Sequence, residues 1–145
     1  MQFGITRRAF LTGIVLTAAV ALNGCSFSTA HISEMRLTKE KNGTDAVTSF
    51  GAHDPIHAFG EVSNVPGKVT VMWHMFVEKV EGETDNSPIP SLDKSFVLPS
   101  SGTSNYDLTP GPDGWPPGKY RIEFTMLDEN GKKDQKAVSF DIKGG

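Results

Sequence analysis

His53-Asp54-Pro55-Ile56-His57 sets two imidazoles four positions apart with a carboxylate between them. In an extended chain alternate residues point to one side, so His53 and His57 share a face. Met72-Trp73-His74-Met75 offers a third imidazole and two thioethers. Imidazole with thioether is a copper-type donor set. The plainer reading puts the histidines on solvated loop and strand surface and Met75 in a core. Met72 and Met75 also fall on opposite faces of one strand, and the spacing is unspecific. His53, His57 and His74 stand as the metal candidates, and the expectation is that no cofactor is bound.

Other reactive side chains reduce to structure. Asp128-Glu129-Asn130-Gly131 has oxygens of calcium-binding type but lacks the glutamate that closes a twelve-residue calcium loop. Asn-Gly after alternating apolar residues signals a hairpin instead. Glu81-Gly82-Glu83-Thr84-Asp85 reads as a solvated acidic loop, and Phe59 and Trp115 as packing residues that would form a contact patch if exposed. Ser100, Ser101 and Ser104 have no base beside them in sequence. No nucleophile elbow, zinc-binding His-Glu-x-x-His or phosphate-cradling glycine loop occurs. Function by binding is expected, with a hydrolase built from scattered residues as a lesser reading.

These residues need a scaffold, and the pattern behind them is period two. In 68–80, Val69, Val71, Trp73, Met75 and Val77 share one face, and Thr70, Met72, His74, Phe76 and Glu78 the other. Ile56, Ala58, Gly60 and Val62 alternate with His57, Phe59 and Glu61; Tyr120, Ile122, Phe124 and Met126 alternate with Arg121, Glu123 and Thr125. Further strands are expected at 31–39, 95–98, 105–108 and 136–143, the last burying Val138, Phe140 and Ile142. The stretch 81–92, with Pro88 and Pro90, is expected as an exposed loop, and the proline-rich 110–118 as a rigid corner. About seven short strands and no convincing helix predict one antiparallel β-sandwich.

Composition agrees. With 145 residues, 15 glycines and 9 prolines, the chain suits one turn-rich domain after a terminal extension. The formal net charge is −3, and it is more negative once Arg7 and Arg8 are set aside. That balance argues against nucleic acid as a partner and leaves no polybasic patch for anionic lipid.

Those two arginines belong to an address. A basic pair, an uncharged apolar run over 9–22 too short to span a bilayer, and small residues after it describe an export signal. Leu22-Asn23-Gly24-Cys25 resembles the lipobox of bacterial lipoproteins, with Asn23 a less usual occupant of its slot. The resemblance implies cleavage before Cys25 and a diacylglycerol thioether on its sulfur. Thr6-Arg7-Arg8-Ala9-Phe10-Leu11 resembles the twin-arginine export motif, with the general secretory route as the alternative. Residues 1–24 are then a signal peptide, 25–30 a lipidated tether and 31–145 the domain. Cys25 is the single cysteine, so no internal disulfide can hold the fold. Ser26, where enteric inner-membrane lipoproteins often carry aspartate, favours an outer membrane where one exists.

A second resemblance covers roughly 56–142. Trp73 resembles the core tryptophan of an immunoglobulin-like strand C, and Trp115-Pro116-Pro117-Gly118-Lys119-Tyr120 resembles the entry to strand F with its tyrosine corner. The closing strands resemble fibronectin type III and related envelope modules. The two resemblances imply an envelope lipoprotein tethered to the bilayer through acylated Cys25. It would be extracytoplasmic and would act on an envelope protein partner as a binding or assembly module. The alternative is a periplasmic copper-binding domain.

Overall fold

The computed structural model describes residues 29–144, and every structural statement below concerns these. The chain forms β1 (His31–Thr38), β2 (Ser49–Gly51), β3 (Ile56–Ser63), β4 (Val69–Val80), β5 (Ser87–Pro88), β6 (Lys94–Leu98), β7 (Gly102–Leu108), β8 (Gly118–Asp128) and β9 (Lys133–Lys143), with one 3-10 turn at Pro90–Leu92. A three-stranded sheet runs β1-β3-β7. A six-stranded sheet runs β2-β9-β8-β4, and β4's remaining edge is shared by β5 and β6.

The all-β reading holds, with differences. Pairing is antiparallel except between β2 and β9, which run parallel. Ser49–Gly51 carries no period-two signal because it is three residues long; what fixes it is Phe50, buried against Phe140 with ring centroids 5.6 Å apart. The expected loop 81–92 contains β5 and the 3-10 turn. β7 begins at Gly102, inside a stretch expected to be a spacer, and β9 begins at the polar Lys133. Val138 is only half-buried.

The core lies between the sheets. β3 and β4 alternate buried and half-buried along nearly their whole lengths, because β3 presents its even-numbered residues and β4 its odd-numbered ones to the interior. Trp73 is fully buried at the centre. It stacks on Phe124 of the neighbouring strand (4.1 Å) and, across the interior, on Tyr106 of the small sheet (5.3 Å, 3°). Its indole N–H donates to Ser104 Oγ at 2.9 Å, so the one polar atom of the ring is satisfied in a dry site. Gly60 lies over Phe124: a Cβ there would sit 2.6 Å from Cζ and 2.7 Å from Cδ2 of that ring. The glycine makes room for the aromatic stack.

Strand direction gives the domain two poles. The 64–68 turn joins β3 to β4, 99–101 joins β6 to β7, and the β8–β9 hairpin turns at 129–132. These meet at one pole together with the start of β1. Contacts tie that pole together. Val65 N–H donates to Ser101 Oγ, Lys68 N–H to Glu129 Oε1, and Ile32 N–H to Asp134 Oδ2. The Asp128 carboxylate accepts the N–H groups of Asn130 and Lys132, and Gly131 takes a positive φ of 86°, which is why the hairpin wants glycine there. The loops 39–48, 81–86 and 109–117 all fall at the opposite pole.

Candidate functional site

Arg7, Arg8, Leu22, Asn23, Gly24 and Cys25 lie outside the described residues. The chain enters the described domain at Thr29 and Ala30, at the pole that carries the three tight turns.

The three histidines do not converge. His57 faces outward from the small sheet, its Nδ1 2.7 Å from Asp107 Oδ1 on β7. His74 faces outward from the large sheet, its Nδ1 2.9 Å from Asp93 Oδ1. The core separates them. His53 sits in the turn after β2, beside Gly114. Met75 is buried while Met72 faces the other way. No group of three or more His, Cys, Asp or Glu among the described residues is arranged to hold a metal ion. Spacing along the chain suggested a shared face but did not reveal that β3 and β4 belong to different sheets.

The serines are structural too. Ser104 accepts the Trp73 indole, Ser101 accepts Val65 N–H, and Ser100 donates to the Ser101 carbonyl. Phe59 and Trp115, expected as packing residues, are both partly covered. The Arg36 guanidinium lies 4.0 Å over the Phe59 ring, and Trp115 donates its N–H to the Asp54 carbonyl.

Tyr120 is buried, and its hydroxyl donates to the Pro116 carbonyl at 2.7 Å, four residues upstream. Burial, then the nearby Glu83 charge, push its phenol above the ordinary value. Tyr106 donates to the Leu92 carbonyl at 2.6 Å, and burial raises its pKa further. Neither phenol is a proton carrier at neutral pH; each ties a loop to the core. Asp54 shifts the other way. Its carboxylate accepts Gly51 N–H at 2.7 Å, and this bond, with Lys39 at 3.5 Å helping, holds it below 3.8.

Two surface features remain. At the loop pole, an open cleft of about 370 Å³ is lined by Thr38, Lys39, Asn42, Thr44, Asp45 and Val47. Glu40 also lines it, and the other loops of this pole carry Glu81, Glu83, Asp85 and Asp113, of which Asp85 pairs with Lys79. At the entry pole, a second open cleft of about 340 Å³ lies between Lys68, Thr70, Val97, Leu127, Asp128 and Glu129. The large hydrophobic side chains left exposed among the described residues are Val97 at 65%, Phe96 at 42% and Leu127 at 40%. One sign of this lies in the chain itself: Phe96-Val97-Leu98 is a continuous apolar run in a short edge strand, and its alternate residues point to opposite faces.

No protein-family model and no curated protein matches the chain. Among solved structures it is similar to the PmoD soluble domain from a Methylocystis species, at 11% identity and a TM-score of 0.46, covering 75% of this chain and 89% of that one. It is also similar to the alkylpurine DNA glycosylase AlkC of Pseudomonas fluorescens (14%, 0.48, covering 80% of this chain and 31% of that one). A Niemann-Pick type C2 protein from the Japanese carpenter ant is a third (15%, 0.42, covering 80% and 92%).

Proposed function

We propose that the protein is a bacterial envelope lipoprotein: an immunoglobulin-like module, tethered through acylated Cys25, that acts by binding an envelope protein and not by catalysis. The observation that carries the reading is the separation of the two poles. The chain enters at one end, five residues after Cys25, while the long loops and the larger polar cleft occupy the other. A lipid anchor confines the module to the membrane surface and raises its effective concentration toward partners there. The loops then face away from the bilayer, where loop insertion or strand addition makes contact.

The immunoglobulin-like assignment draws on particular features. The order β1-β3-β7 against β9-β8-β4, with β6 extending the second sheet beyond β4, supports a reading as an A-B-E sheet facing G-F-C. Trp73 fills the strand-C position of that plan, and the Tyr120–Pro116 bond has the form of a tyrosine corner.

The test is a photo-crosslinking scan in intact cells, with the reactive residue at Asn42, Asp85 or Pro112 on the loop pole and at Ala137 on the exposed face of β9. One envelope protein captured from loop positions and not from Ala137 supports the reading. Capture independent of position, or none from a correctly acylated chain, refutes it.

A further inference from the structure

The entry pole carries a row with exposed apolar side chains that no element among the described residues covers. Val97 on β6, Thr70 on β4 and Leu127 on β8 are direct cross-strand neighbours on the outer face of the large sheet, and Lys133 on β9 continues the row. Lys68 flanks it at the adjoining turn. Val97 and Leu127 are its exposed apolar members.

We infer that this row seats the domain on the lipid bilayer that holds its anchor. The inference rests on the lipoprotein reading above and adds an orientation to it. Five residues, 26–30, separate Cys25 from β1. Fully extended, they reach about 18 Å, whereas β4 alone, with 12 residues, is about 40 Å long. An anchor on Cys25 therefore keeps the entry pole within that reach of the headgroups, while the loop pole lies a strand's length farther along the domain.

The chemistry of the pole fits an interface. Exposed Val97 and Leu127 would bury apolar surface at the headgroup boundary. Lys68 and Lys133, both exposed, have long stems that can lie along apolar surface with the ammonium in water or at phosphate. Three carboxylates beside this row accept backbone N–H groups, while Asp128 and the exposed Glu129 also line the cleft next to Val97 and Leu127. Asp128 holds the hairpin N–H groups, Glu129 holds Lys68 N–H, and Asp134 accepts from Ile32 and Gln135. The acidic loops stand at the far end, where repulsion from anionic lipid is least. A tilt that lowers the β6 edge brings Val97 and Leu127 down together, since they flank Thr70 in one row.

The experiment uses the acylated mature protein, whose Cys25 sulfur is blocked, so that an introduced cysteine is the one reactive thiol. An environment-sensitive fluorophore is placed at Val97→Cys, Leu127→Cys or, on the loop pole, Glu83→Cys. The labelled proteins are reconstituted on phosphatidylcholine–phosphatidylglycerol vesicles. The expected result is a blue shift with several-fold brightening at 97 and 127, quenched by lipid-borne nitroxides, with no change at 83. Water-like emission at 97 and 127 on protein that floats with the vesicles overturns the inference and leaves the anchor standing. A chain that carries no acyl group and does not float overturns the lipoprotein reading and this orientation with it. A blue shift that needs no vesicles and grows with protein concentration assigns the row to a second copy of the chain, and also overturns it.

Discussion

Gly60 is where the packing of this core can be tested most sharply. Replacing it with alanine adds one methyl group, on a strand where alanine is normally at least as good as glycine. Restricting the unfolded chain should by itself stabilise the variant by about 0.4–1 kcal/mol. The structure demands the opposite sign. The new Cβ would stand 2.6 Å from Phe124 Cζ, about 1 Å inside normal carbon contact. Phe124 has no room to retreat, because its other face is stacked on Trp73 at 4.1 Å and Trp73 on Tyr106 at 5.3 Å. Overpacking of this kind costs about 1–3 kcal/mol, so the net effect is a loss of about 1–2 kcal/mol. Urea unfolding of the Cys25→Ala mature chain, followed by tryptophan fluorescence, measures it, with an unchanged m-value as the check on two-state behaviour. Phe124→Leu relieves the overlap, so Gly60→Ala and Phe124→Leu should couple by about 1–2 kcal/mol in a double-mutant cycle. A neutral or stabilising Gly60→Ala, or strict additivity in the cycle, would refute the stacked arrangement.

Three further outcomes are expected. Tyr120→Phe removes the bond to the Pro116 carbonyl and should cost about 1 kcal/mol in the same urea assay, with the far-ultraviolet spectrum unchanged. Asp128→Ala strips two N–H partners from the hairpin and should cost about 2 kcal/mol, with faster amide exchange at Asn130 and Lys132. Asp54 is held below its ordinary 3.8 chiefly by Gly51 N–H. A depressed folded-state value means its stabilisation is complete above 3.8 and disappears as the pH falls through the lower value. Asp54→Asn should therefore flatten the acid limb of the stability–pH curve and leave its slope near neutrality untouched.

The strands that bury one face against the opposite sheet were readable as alternation. Val69, Val71, Trp73 and Met75 line the interior as their spacing indicates, and Gly60 sits in the inward row of β3. Legibility fails where that asymmetry fails. β2 is too short for a period, and it is held by where Phe50 lands on Phe140. β9 starts among charged residues, where Asp134 takes up the Ile32 N–H of β1 in place of an apolar contact, and Val138 is half-covered. Thr125 looks polar and outward, yet it is buried between Met72 and Gln135 on the outer face. The histidines show the limit most clearly. Period two correctly turns His57 and His74 outward from their own strands, but assigning those strands to opposite sheets depends on long-range pairing that no local pattern carries. The exposed row at the entry pole is likewise a product of pairing, since Val97, Thr70 and Leu127 are distant in sequence and meet only when β6, β4 and β8 align.

Everything said about orientation depends on Cys25. The direct measurement is the intact mass of the protein extracted from the membrane fraction of its own cells, beside a Cys25→Ala variant. The account predicts a mature chain that begins at Cys25 and carries a diacylglycerol, and a variant that stays an unprocessed or mislocalised precursor. A Cys25→Ala protein that is processed normally and remains bound to the membrane would contradict it.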